Sequence, residues 1–299
     1  EDLGAGGRLL HDFRRLRGES LAVVVVDINS SDGSAQFVES KFPEVLLCRM
    51  PQNMGVGARN EGISRATGDV VITLDDDVIG IGDKEVASIV RIFENRPNVG
   101  AICFKVVDNE TGRQCNWCHH YSIEQDGNRE FVTDEITEGA VAFRKAAIER
   151  SGLYCESFFI SHEGADLLVR LLESGYITIY SPEICVRHHT APEGREDWRR
   201  YYYDTRNQIW LAIRNYPVLW AAKYLLRGLT AMLYYSVRDG YTRYWLKGVF
   251  DAVRKASEMA RHRKPFSART RAVLEDIAAH RPSLAYTVRR KLFARRIRL

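Results

Sequence analysis

The chain has 299 residues, 45% of them hydrophobic, and a net charge of +4. That is enough to bury one substantial core with an appended helical region, and it excludes a small stapled scaffold. Six cysteines are scattered without a disulfide framework, as expected of reduced thiols in a cytoplasmic protein. There is neither a secretory signal nor an apolar span of about 20 residues, so a soluble or peripheral protein is expected.

The first half alternates strand-like and helix-like segments, the pattern of a mostly parallel α/β sheet. Leu9–Leu16 reads as a helix, and Leu21–Asp27 as a continuous apolar strand. A turn of small polar residues follows, Asp27-Ile28-Asn29-Ser30-Ser31-Asp32-Gly33, leading into a helix over Ser34–Lys41. Such a turn at a strand's carboxyl end can present carboxylates and backbone N–H groups to a ligand, or simply cap the helix. A second strand over Val45–Met50 leads to Asn53-Met54-Gly55-Val56-Gly57-Ala58-Arg59-Asn60 and a helix over Val56–Ala66. The glycines allow close backbone approach, and Arg59 is suited to a phosphate or a base. The spacing is not that of a dinucleotide fingerprint or a phosphate loop, which disfavours nicotinamide and ATP-hydrolysing chemistry.

Val70–Leu74 is a third strand, and directly behind it stand Asp75, Asp76 and Asp77. Three adjacent carboxylates repel one another, and a divalent cation with oxygen ligands would relieve that repulsion; an acidic turn closing the strand is the plainer alternative. A helix over Asp83–Asn95 and a strand over Val99–Val107 come next. From Asp108 to Asp134 the pattern breaks into a polar, aromatic excursion. Inside it Cys115-Asn116-Trp117-Cys118-His119 matches a C-x-x-C-H haem pattern, and His120 adds a possible zinc ligand; a packed or substrate-lining loop is the default reading.

Taken together and in order, DINSSDGS, NMGVGARNEGI and VVITLDDD resemble family 2 glycosyltransferases of the GT-A fold, over roughly Leu21 to Asn207. The resemblance implies a Rossmann-like, mostly parallel mixed sheet flanked by helices, with a C-terminal helical extension. By that resemblance Asp27 and the turn Asn29, Ser30 and Asp32 contact the base and ribose of a nucleotide-diphosphate sugar, with Arg59 and Asn60 beside them. Asp75 and Asp77 form the DxD pair that holds Mg²⁺ or Mn²⁺ against the donor's diphosphate. Asp77 is the first choice as direct ligand, Asp75 also suits the ribose or a metal-bound water, and Asp76 joins the donor contacts or is structural. A divalent ion there neutralises the charge that develops on the leaving group.

Further resemblances continue the pattern. Gly139–Arg144 is similar to the short strand lining the acceptor side. Glu163-Gly164-Ala165-Asp166-Leu167-Leu168-Val169-Arg170 resembles the segment in which an acidic pair precedes a helix, except that the second acid is here Gly164. Glu163 and Asp166 share a helix face, and either is expected as the base that takes the acceptor's proton, with Glu163 favoured and Asp166 paired to Arg170. Pro182–His189 resembles a strand ending in a metal-shell histidine, assigned to His188. Tyr201–Asn207 resembles an aromatic-then-Arg-Asn helix in which Arg206 lies near the diphosphate or locks the helix to the core.

These readings divide the chain into a catalytic domain over 1–196 and a helical, aromatic and basic region over 197–299. Lys223 and Arg227 interrupt the apolar run Pro217–Val237, so that helix either packs on the core or lies in a membrane interface. Beyond Arg281 the chain carries Arg289, Arg290, Lys291, Arg295, Arg296 and Arg298 and no acid, which suits peripheral contact with the anionic inner face of the cell membrane. Family members usually open with a further strand, and its absence, with no initiator Met, suggests a truncated sequence. The expected activity is inverting, metal-dependent sugar transfer to a hydroxyl on a glycan or a lipid-linked acceptor, in surface polysaccharide or glycolipid assembly. No nucleic-acid partner is expected. The alternatives are a sugar-nucleotide nucleotidyltransferase and a non-enzymatic basic module for membrane or nucleic acid.

Overall fold

A computed structural model describes residues 5–16, 21–189 and 198–282. The chain runs α1 (Ala5–Phe13), β1 (Val24–Asp27), α2 (Ser34–Lys41), β2 (Leu46–Arg49), α3 (Gly57–Arg65), β3 (Val70–Leu74), β4 (Val78–Ile79), α4 (Asp83–Asn95) and β5 (Val99–Asp108). It continues through α5 (Ile123–Asp126), β6 (Phe131–Val132), β7 (Ala140–Arg144), α6 (Lys145–Ser151), a 3-10 turn at Glu156–Phe158, α7 (Glu163–Glu173) and β8 (Ile177–His188). The carboxyl-terminal part is helical: α8 (Trp198–Asn215), α9 (Val218–Arg238), α10 (Thr242–Arg254), α11 (Ala256–Arg261) and α12 (Ala268–Ala279).

The strands form two sheets. β1 and β2 pair in parallel, and a larger sheet has the order β3-β7-β5-β8-β4 with β6 also on β8. β5 and β8 are parallel, while β7 lies between β3 and β5 and runs against both. The long strands β3, β5 and β8 therefore share one direction, as expected for this α/β class, although most hydrogen-bonded neighbours in the larger sheet are antiparallel. The alternation of sequence predicts the shared direction but not the reversed strand, because β7's apolar AVAFR run carries no mark of polarity.

Two apolar layers cover the larger sheet. One gathers Ile89, Ile102, Phe104 and Val186 beneath α4; the other gathers Cys103, Val141, Phe143, Leu167 and Leu171 beneath α7. Cys103, Val141 and Phe143 are fully buried. A third cluster joins Phe158 and Ala165 to Ile209, Trp210 and Ala252, so α8 packs directly on α7 and the turn before it. The expected domain boundary at 196 falls outside the described residues, as does the basic segment beyond 282.

Candidate active site

Strand register assembles the acidic centre. Leu74 pairs with Ala140 across the antiparallel β3–β7 ladder, so the residues just after β3 meet those just before β7. Asp75 N–H donates to the Gly139 carbonyl at 3.1 Å. Gly139 has φ 76°, and a Cβ there would stand 2.3 Å from Asp75 Oδ2. Both the left-handed backbone and the close carboxylate demand glycine. The same register sets Glu138 beside the aspartates.

On the other side, the β4–β8 ladder pairs Val78 with His188. Asp77, one residue earlier, therefore meets the end of β8: its carbonyl accepts from His189 N–H at 2.8 Å, and its Oδ2 lies 3.2 Å from His188 Nε2. Burial raises the Asp77 carboxyl, His188 opposes that shift, and the charges of Asp75 and Asp76 add to it. Asp76 is exposed. Arg59, on α3, ion-pairs with Asp75 and stands 3.8 Å from Glu138 Oε2.

The donors expected for a divalent ion are Asp75, Asp77 and His188. Among the described residues no group of three or more His, Cys, Asp or Glu is gathered closely enough to hold one. Asp75 is turned towards Arg59. Asp77 Oδ1, however, is shut off from solvent with no hydrogen-bond partner among the described residues, a state that costs about 1–3 kcal/mol when unrelieved. Asp77 and His188 together offer a carboxylate oxygen and an imidazole nitrogen, a donor pair that would fit a divalent transition-metal ion.

The opposite wall comes from α7. Glu163 is its first residue and is 6% exposed. The approach to it is strained: Phe159, Ser161 and His162 have φ of 65°, 75° and 63°, an arrangement that persists only where surroundings over-determine it. Here α8 supplies the restraint. Asn207 Nδ2 donates to the carbonyls of Phe158, Ile160 and Ser161 at 2.9, 2.7 and 2.7 Å. Arg206 Nη2 donates to those of Ser157 and Phe158 at 3.1 and 2.9 Å, with its guanidinium 4.2 Å from the Trp210 ring centre. Of the two expectations for Arg206, the geometry matches the lock.

Asp166 is fully buried: Arg170 donates to its Oδ2, and Arg214 and Asn215 donate to its Oδ1 at 2.8 and 2.7 Å. Those donors hold its carboxyl below the usual range against the effect of burial. The expected Asp166–Arg170 pair is present, but both oxygens are committed. Asn60 is similarly engaged, donating to the Tyr154 carbonyl at 3.0 Å and accepting from Tyr154 N–H at 2.9 Å. It therefore ties α3 to the segment before α7.

The turn after β1 is more open. Ser30 N–H donates to Asp27 Oδ1 at 3.3 Å, Ser34 N–H donates to Asp32 Oδ1 at 3.0 Å, and Asn29, Ser30 and Asp32 are exposed.

Glu138 is the residue that sequence reasoning missed. Its Oε2 accepts from Tyr154 OH at 3.0 Å, while Oε1 is shut off from solvent with no hydrogen-bond partner among the described residues. Burial, then the charge of Glu163, push its carboxyl up to about 8, against Arg59 and Tyr154. A Cβ on Gly164 would lie 2.6 Å from Glu138 Oε1. An acid at 138 and a glycine at 164 thus belong together, and the departure at Gly164 was the available signal.

In the excursion before β7, His119 Nδ1 lies 2.7 Å from Thr133 Oγ1 and Nε2 lies 3.3 Å from Thr137 Oγ1. Burial pushes its ring down to about 3. With both nitrogens facing hydroxyls and the ring packed on Trp117, Phe131 and Tyr180, this is the packed loop rather than a haem or zinc site.

A sheet with these acids at its strand ends, walled by α3 and α7, has the GT-A glycosyltransferase fold, as comparison with solved structures bears out. The mannosyltransferase PcManGT of Pyrobaculum calidifontis, solved with GDP-Man and Mn²⁺, superposes with a TM-score of 0.53 at 16% identity, over 98% of this chain and 81% of that one. TarS 1–349 of S. aureus with UDP-GlcNAc gives a TM-score of 0.57 at 14% identity, over 97% and 89%. Residues 7–152, just under half of the chain, match the pattern of Glycosyl transferase family 2. A curated relative, the O-antigen chain rhamnosyltransferase WbaN of Salmonella anatum, is 21% identical over 203 residues; the match spans 64% of this chain and 64% of the relative.

Proposed function

We propose that this chain is an inverting, metal-dependent glycosyltransferase that moves a sugar from a nucleotide-diphosphate donor to a hydroxyl on a glycan or lipid-linked acceptor, in surface polysaccharide or glycolipid assembly. The observation that carries the reading is the gathering of Asp75, Asp77 and His188 beyond the carboxyl end of β3, with the carboxyl groups of Glu138 and Glu163 beside them. The GDP-Man and UDP-GlcNAc bound in two of the similar structures, and the Mn²⁺ in one of them, support the donor class and the ion. The match of residues 7–152 to the Glycosyl transferase family 2 pattern favours transfer over the nucleotidyltransferase and non-enzymatic alternatives.

In this proposal Asp77 and His188 would hold Mg²⁺ or Mn²⁺, which when bound neutralises charge on the departing diphosphate. Asp27, Asn29, Ser30 and Asp32 receive the base and ribose. Arg59 orients Asp75 and adds positive charge beside the diphosphate. Glu163 takes the acceptor's proton as that oxygen bonds to the anomeric carbon, and the carbon–oxygen bond to the diphosphate breaks with its electron pair leaving on the nucleotide. Glu138 acts through Glu163: burial and the Glu163 charge favour the neutral form of Glu138, which lessens repulsion between the two groups. Asp166 is assigned to structure because its oxygens are committed, and Arg206 and Asn207 are assigned to holding the loop that aims Glu163.

The proposal includes peripheral contact with an anionic membrane on the cytoplasmic side, as suits a lipid-linked acceptor. No helix among the described residues is long and apolar enough to cross a membrane. The direct test is release of nucleoside diphosphate from UDP-, dTDP- and GDP-sugars with Mn²⁺, comparing the chain with Glu163→Gln. Release lost in the variant supports the assignment, and equal release contradicts it.

A further inference from the structure

α9 and α10 pack against each other and both pack on α8. Their inner faces are accounted for, with Tyr224, Leu225 and Leu229 of α9 and Val249 and Ala252 of α10 joining the Trp210 cluster. Their outer faces are not polar. Leu219, Leu226 and Val237 on α9 and Leu246, Phe250 and Val253 on α10 are between 58% and 77% exposed. On a soluble helix pair these positions would ordinarily carry charge.

Cations are interleaved with these side chains. Lys223, Arg227 and Arg238 on α9 and Arg243, Lys247 and Arg254 on α10 are exposed. The stretch 218–255 carries seven Lys or Arg and two acids, Asp239 and Asp251. Both acids are paired, Asp239 accepting from Tyr201 and Arg238 and Asp251 from Tyr202 and Lys247, so the seven cations and two acids leave an excess of five positive charges. The outer surface is therefore at once apolar and positive.

We propose that the outer face of α9 and α10 is the surface by which the chain lies on an anionic phospholipid bilayer, the helices resting in the headgroup region with their apolar side chains inserted. This deepens the membrane part of the proposed function and does not depend on the transfer reaction. Charge decides the occupant. A second copy docking by the same face would set cations against cations, whereas an anionic bilayer accepts both the leucine and phenylalanine side chains and the positive charge. Lys and Arg stems also suit this depth, since they cover apolar surface while their charged ends reach phosphate. Because the same helix pair is bolted through α8 to the loop before Glu163, the face would fix the active site's orientation to the bilayer.

The test is flotation of the full chain with phosphatidylcholine vesicles, with and without phosphatidylglycerol, beside two variants. L226E/F250E removes insertion and K223E/R227E reverses charge, both at exposed positions that leave the core untouched. The chain is expected to float with phosphatidylglycerol vesicles and weakly without them. L226E/F250E should lower the bound fraction about tenfold or more, K223E/R227E should lower it by several-fold per charge removed, and both should keep the parent melting temperature. Flotation unchanged in L226E/F250E would overturn the proposal in favour of binding through the basic segment beyond 282. Absence of flotation at low salt would overturn it outright, as would self-association by sedimentation that L226E/F250E abolishes.

Discussion

Gly164 and Glu138 are coupled by volume: a Cβ at 164 would lie 2.6 Å from Glu138 Oε1 and 3.1 Å from Ile136 Cβ. The carboxylate of one strand entrance fills the place that a side chain at the start of α7 would take. Gly164→Ala should therefore destabilise the fold by about 1–3 kcal/mol through overpacking, and the cost should shrink by more than half in a Glu138→Ala background. Thermal or urea unfolding of the four-member cycle measures this. Additive effects would mean that the two positions do not compete for space.

Glu138 also predicts a pH dependence. Its carboxyl is raised from 4.5 to about 8 by burial and by Glu163. Across that window the folded chain keeps a proton that the unfolded chain has released, so its contribution to stability is full below about 4.5 and is lost as pH rises through about 8. Glu138→Gln cannot ionise and should flatten the decline. Melting temperatures of both proteins across the window test it, and parallel curves would contradict it.

Glu163 and Asp166 lie on the same helix but should separate cleanly. Asp166→Ala strands Arg170 and Arg214 and should cost about 3–5 kcal/mol, as when one member of a buried ion pair is removed. Glu163→Gln should leave melting within about 1 kcal/mol of the parent while lowering transfer by about 10²–10⁴-fold. A stable, inactive Asp166→Asn protein would reverse the assignment.

Arg206 offers a second separation. If it braces the loop before α7, Arg206→Ala lowers stability and turnover but leaves nucleotide affinity within about twofold, because uniform binding is untouched. A large loss of nucleotide affinity with unchanged melting would place it at the diphosphate.

How much of this was legible in the sequence follows from which forces are local. The apolar run ending in Asp75–Asp77, and the helices Ser34–Lys41 and Asp83–Asn95, rest on periodicity and on turn residues, and their bounds appear in the structure as read. β1 and β2 are shorter than the apolar runs that announce them, spanning Val24–Asp27 and Leu46–Arg49. Glu138 was not legible because its role comes from an antiparallel register between segments far apart in sequence. The commitments of Asn60 and Asp166 were hidden for the same reason: their partners, Tyr154, Arg214 and Asn215, come from other elements.

Metal-dependent donor binding at Asp77 is measured most directly by calorimetry of UDP, dTDP and GDP with and without Mn²⁺, on this chain and on Asp77→Ala. One nucleotide is expected to bind in the presence of Mn²⁺ and more weakly without it, and Asp77→Ala is expected to abolish the metal-dependent part. Equal binding with and without Mn²⁺, or an undiminished metal effect in Asp77→Ala, would contradict that expectation.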